Sequence, residues 1–84
     1  MKTIINTSYD TIAARDESGI EYIVIPVFED GKIEAYRLPN DNAKNIAGKL
    51  TLPEDAEYID SYTMDDCEDA YAVYEKCDRL IQEI

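Results

Sequence analysis

The chain contains no histidine. That removes the commonest general base, the Ser-His-Asp and Cys-His arrangements of nucleophilic catalysis, and every zinc site built on imidazole. Positive charge is also scarce, with eight Lys and Arg against nineteen Asp and Glu. Attachment to phosphate needs clustered Lys and Arg, so direct binding to DNA, RNA or an anionic membrane surface is not expected. No segment approaches the ~18 consecutive apolar residues of a membrane-spanning helix. Met1-Lys2-Thr3-Ile4-Ile5-Asn6 has no long apolar stretch of the secretory kind. Asn6-Thr7-Ser8 fits the glycosylation pattern, but without a secretion signal the match is coincidental. Cysteine is limited to Cys67 and Cys77, and reduced thiols suit a cytoplasmic setting. The expectation is a cytoplasmic protein that binds no nucleic acid itself.

Eighty-four residues with 45% apolar content make one domain, 1–84, with a thin core and little room for a deep pocket. No repeat or low-complexity linker divides it. Strands come first. Thr11 to Asp16 reads as a strand, turned by Glu17-Ser18-Gly19. Ile20 to Phe28 is dense in β-branched and aromatic residues, and Asp30-Gly31 suits a hairpin turn back into Lys32 to Leu38. Pro26 cannot donate to a ladder. The strand is therefore either an edge near Pro26 or interrupted there by a bulge. Asn40 to Lys49 reads as a short helix, capped by Asn40 or Asp41 and ending near Gly48. A loop follows around Pro53. Glu57 to Thr63 alternates as a short strand, with a helical turn from Pro53 as the competing assignment.

The last segment has helical spacing. Asp65 with Glu68 resembles a capping box, and Cys67, Ala70, Tyr71, Tyr74, Cys77, Leu80, Ile81 and Ile84 recur on one face. Acids crowd the first turn while Lys76 and Arg79 come late, as the helix dipole favours. An amphipathic helix over roughly 65–83 is expected. Both cysteines then share it, ~15 Å apart along the axis, too far for a disulfide. The architecture expected is α+β: an antiparallel sheet of three or four strands, a C-terminal helix on one face, and a short helix between.

The net charge of −11 is concentrated in one half. Up to Pro53, eight acids face six bases; from Glu54 onward, eleven acids face only Lys76 and Arg79. Acidity of this kind keeps a small protein soluble. It also suits recognition, because carboxylates on a folded face offer a groove for nucleic acid a substitute for phosphates. The candidate contact residues are Glu54, Asp55, Glu57, Tyr58, Asp60, Tyr62, Asp65, Asp66, Glu68 and Asp69. Tyrosine is enriched at interfaces, which includes Tyr58 and Tyr62 in the set, although either also suits a core. Tyr22, Tyr36, Tyr71 and Tyr74 are expected in the sheet and on the buried face of the helix.

Other chemistries fit less well. The acids at 65–69 lack the alternating ligands and central glycine of a calcium loop. No carboxylate pair stands out for acid–base catalysis. Cys67 would gain from a helix dipole, but its acidic neighbours raise a thiol pKa, so it is read as packing. Asp60-Ser61-Tyr62 is similar to the attachment site of acyl carrier proteins. Those are helical bundles, which the strand-rich first half contradicts. In size and charge, with Glu54 to Asp69 as its acidic stretch, the chain resembles small phage-encoded inhibitors such as anti-CRISPR proteins and other DNA mimics. That resemblance implies a non-enzymatic inhibitor, without cofactor or metal, which blocks a basic nuclease or other nucleic-acid-binding complex in the host cytoplasm. Acidic immunity proteins or antitoxins, and adaptors whose acidity serves only solubility, are the alternatives.

Overall fold

In the computed structural model, which describes residues 1–8, 11–39, 44–46, 49–52 and 54–84, the expected hairpin is the middle of the sheet. β3 (Glu21–Val27) and β4 (Lys32–Leu38) pair antiparallel in register from Glu21↔Leu38 to Val27↔Lys32. They are joined by one 3-10 turn, Phe28–Asp30, and by Gly31 at φ +62°. A side chain is strained at that angle, which is why glycine stands there. Among the described residues, β2 (Thr11–Arg15) pairs with β3 from Arg15↔Glu21 to Ile12↔Val24. Pro26 pairs with Ile33 on the β4 side. On the β2 side the residue that would face it in this register, Asp10, lies outside the described residues, and with it the choice between an edge and a bulge there.

Asp16 builds the turn between β2 and β3. Its Oδ1 accepts the N–H groups of Ser18 (2.9 Å) and Ile20 (3.0 Å), and its Oδ2 accepts the Tyr22 hydroxyl (3.0 Å). Burial opposes the charge, but these hydrogen bonds outweigh it and hold the carboxyl below its ordinary pKa.

Two further strands complete the sheet. β7 (Glu57–Thr63) pairs antiparallel with β4 over the bounds the alternation suggested. β1 (Thr3–Ser8), which the sequence did not announce, pairs with β2. Adjacent Ile4 and Ile5 break the two-residue alternation of β1. A bulge between Ile4 and Asn6 absorbs the mismatch, and Ile5 packs against the second of two apolar clusters. The α+β class holds, with five antiparallel strands in the order β1-β2-β3-β4-β7.

The expected helix within 40–49 is corrected. β5 (Lys44–Ile46) and β6 (Lys49–Thr51) form a separate two-stranded ladder. The proposed caps Asn40 and Asp41, and Gly48, lie outside the described residues. Ten residues rich in Asn and Asp are too short to nucleate a helix without a packed face.

Helix α1 (Ala70–Glu83) crosses one face of the sheet. Val73, Cys77, Leu80 and Ile81 meet Ile12, Ala14, Val24, Ile33 and Ala35 there. Fourteen residues are marginal as an isolated helix. Burial worth roughly 1.5–3 kcal/mol for each large apolar side chain is what holds it. Gln82 ties its far end to β1, donating to the Lys2 carbonyl (3.0 Å) and accepting the Lys2 N–H (2.8 Å). The opposite face of the sheet buries Ala13, Ile23 and Leu38.

The start of α1 is a second correction. It begins five residues later than expected, and its N-cap is Asp69, whose side chain accepts the Ala72 N–H at 2.9 Å. Asp65 to Glu68 form a turn instead, in which the Thr63 hydroxyl accepts the Asp65 N–H (3.0 Å) and Cys67 N–H reaches the Met64 carbonyl (2.8 Å). Repulsion between successive acids and the weak helix propensity of Asp disfavour extending the helix through them. Neither Lys76 nor Arg79 falls in the last turn. Cys67 therefore precedes the helix. The two cysteines form no disulfide, but not because one helix separates them.

Candidate functional site

β7 is an edge strand, and of the ten candidate residues it carries Glu57, Tyr58, Asp60 and Tyr62, the other six flanking it in the chain. The hydrogen bond from Met64 N–H to the Gly31 carbonyl (2.9 Å) sets the phase of the ladder. By the alternation of antiparallel pairing, Tyr62 and Asp60 bond to β4, while Ser61 and Thr63 turn their backbone groups away from it. One outward group at each position is occupied locally. Ser61 N–H donates to the Asp60 carboxylate at 2.8 Å, and Lys76 Nζ donates to the Thr63 carbonyl at 2.5 Å. Lys76 also holds Asp66 at 2.8 Å. Its ammonium holds the Asp66 carboxyl below the usual carboxylate range.

At the other end of β7, Glu57 forms an ion pair with Arg37. Tyr58 is 58% exposed and meets Tyr36 edge-on, ring centroids 5.8 Å apart. Ile59 is the extra residue of a bulge between the pairs Ala35↔Asp60 and Tyr36↔Tyr58. Tyr62 packs against the helix-side core; burial first, then Asp60 and Glu83, raise its hydroxyl pKa. The core thus claims Tyr62, leaving Tyr58 as the exposed tyrosine of the pair.

All eight candidate acids are exposed, but they do not form one compact patch. Glu54, Asp55, Glu57 and Asp60 lie toward the start of β7. Asp65, Asp66, Glu68 and Asp69 follow its end, about 20 Å further along the strand. Their tasks differ. Asp66 and Glu57 are ion-paired and Asp69 caps the helix, whereas Glu54, Asp65 and Glu68 enter no ion pair among the described residues.

The fold joins the second group to a piece of chain that sequence reasoning left out. The Gly31–Met64 bond sets the turn of Phe28, Glu29 and Asp30 beside Asp65 and Asp66. Tyr71 and Tyr74, expected inside, point out. Tyr71 is 70% exposed, and Tyr74 is 37% exposed, with its ring edge-on to Phe28 at 6.3 Å between centroids and 87°. The expected face, drawn through Cys67 and Ala70, takes in these tyrosines and passes over Val73, which does face the core. The signal available was the Val73, Cys77, Leu80, Ile81 spacing, which alone defines the face.

On the other flank of α1, a shallow depression of about 320 Å³ is lined by Asp66, Cys67, Ala72, Glu75, Lys76 and Arg79. Burial first, and then the Asp66 carboxylate, push the Cys67 thiol up. That opposes thiolate formation and agrees with Cys67 packing against the core. Asp60-Ser61-Tyr62 lies within β7, unlike a serine that opens a helix. Among the described residues, no three His, Cys, Asp or Glu side chains converge as a metal site, and no helix is long and apolar enough to cross a membrane. No protein-family model matches this chain, and no similar curated protein or solved structure was found.

Proposed function

We propose that this protein is a non-enzymatic cytoplasmic inhibitor that lays its acidic sheet edge against a basic, nucleic-acid-binding surface of a partner protein. One observation carries the reading: eight acids of the charged half stand exposed around β7, Glu54 and Asp55 ahead of it, Glu57 and Asp60 on it, and Asp65, Asp66, Glu68 and Asp69 between it and α1. Exposed carboxylates fixed to a strand present a linear array of negative charge, as a nucleic-acid backbone does. They act mainly by accelerating encounter with a positive groove. The likeness in size and charge to phage-encoded DNA mimics and anti-CRISPR proteins agrees with this, with a host nuclease as the kind of target.

The test is displacement. The protein is added to a panel of nucleases and DNA-binding proteins carrying a labelled duplex, and release of the duplex is followed. Its target should release DNA at low salt and less readily as salt shortens the Debye length below ~10 Å. The variant Glu54→Gln/Asp65→Asn/Glu68→Gln, which leaves the helix cap and the ion pairs intact, should inhibit roughly tenfold less well. Direct binding of the duplex by the protein itself, or inhibition indifferent to both salt and the triple variant, would refute the proposal.

A further inference from the structure

We infer that Phe28, Tyr71 and Tyr74 form the anchoring surface for the partner, and that it receives arginine side chains from a basic protein segment. This inference rests on the inhibitor reading and assigns to it a point of attachment and a chemistry. The three rings lie together: Phe28 and Tyr74 touch edge to face, and Tyr71 stands one helical turn before Tyr74, within neighbouring distance on a helix surface. All three are substantially solvent-exposed, Phe28 by 46%. The only phenylalanine of the chain is thus outside its core.

The surroundings of the rings select the occupant. Glu29 and Asp30 follow Phe28 directly, and all three are exposed. On the helix, Asp78 stands four residues after Tyr74 and is exposed, while Glu75 lines the depression on the other flank. The helix cations Lys76 and Arg79 lie on the opposite flank, toward Asp66. An aromatic surface rimmed by carboxylates disfavours a second copy of this acidic chain. It favours a cation that stacks on a ring and donates to carboxylates at once. The guanidinium does both, being flat, forked and weakly hydrated, whereas an ammonium does so less well. Aromatic residues are also where interfaces concentrate binding energy.

The experiment titrates the isotope-labelled protein with nona-arginine and with nona-lysine, peptides of equal charge, at low salt. The arginine peptide should bind at least about fivefold more tightly, and the ring signals of Phe28, Tyr71 and Tyr74 should shift first. Tyr71→Ala/Tyr74→Ala should equalise the two peptides while leaving salt-dependent binding in place. Because Tyr74 is partly buried, Tyr71→Ala alone provides a variant with no packing consequence, and it should narrow the preference. Equal affinities, or shifts centred on Glu54 to Asp60, would overturn the aromatic anchor and leave the acidic-edge reading standing. Failure of both peptides to bind would remove both.

Discussion

Glu21 and Glu54 are the same residue in opposite circumstances. Glu21 is 2% exposed on the face of the sheet away from α1, where Arg15 Nη2 approaches its Oε2 to 2.5 Å. Asp16, at the turn just before it, directs both carboxylate oxygens to the surrounding chain. Glu54 stands in solvent. The first half, where charges nearly balance, builds Asp16 and Glu21 into the fold; the second half mostly displays its acids. Composition alone does not separate these uses. What separates them is whether a carboxylate lies next to unmet donors, as Asp16 does at a tight turn, or on an edge where water supplies the donors.

The comparison is tested most severely at Arg15. Arg15→Ala leaves a buried carboxylate with less compensation. Because Arg15 is itself half exposed, the expected loss is about 2 kcal/mol, below the usual 3–5 kcal/mol for breaking a fully buried pair. Denaturant unfolding measures it, and a loss within error of zero would mean that Glu21 is held adequately by its other neighbours. Asp69→Ala sharpens the comparison from the other side. It belongs to the acidic stretch, yet as the N-cap of α1 its removal should cost about 1 kcal/mol, which Asp69→Asn should largely restore.

The smallest effect is expected at Asp66. Its folded pKa is depressed, chiefly by Lys76, so its contribution is present above the ordinary carboxylate pKa and is lost as pH falls through the lowered value. In a carboxyl-carbon titration Asp66 should remain ionised below the usual carboxylate range. Asp66→Asn should flatten the acid limb of the stability curve slightly, because the pair is exposed. An Asp66 that titrates in the ordinary carboxylate range would show that Lys76 belongs to Thr63 alone.

Much of the fold was legible where local signals agreed. The β3–β4 hairpin and β7 were plain because β-branched density, alternation and turn residues coincided. β1 was hidden by Ile4-Ile5, since a bulge is a tertiary accommodation that no alternation rule contains. The segment 40–49 misled because capping residues and a glycine imitate a helix whether or not a face exists to bury. In the site, exposure of the β7 acids followed from sequence, but their separation into two groups did not. Nor did the meeting of Phe28 with Tyr74, which depends on Tyr74 lying outside the face that Val73, Cys77, Leu80 and Ile81 bury.

The closure of β7 has a consequence for how this molecule behaves in company. An open sheet invites copies of itself to continue it, each exposed row of amides acting as a template for the next chain. Here Asp60 has taken the outward N–H of Ser61 and Lys76 the outward carbonyl of Thr63, and at the opposite border the Ile5 bulge interrupts the row presented by β1. Growth is discouraged in both directions, so five strands is where the sheet stops. Crowded solutions of this protein should therefore stay fluid and unfibrillated, with mutual repulsion adding to the effect. Loosening Lys76 is where such resistance would first fail.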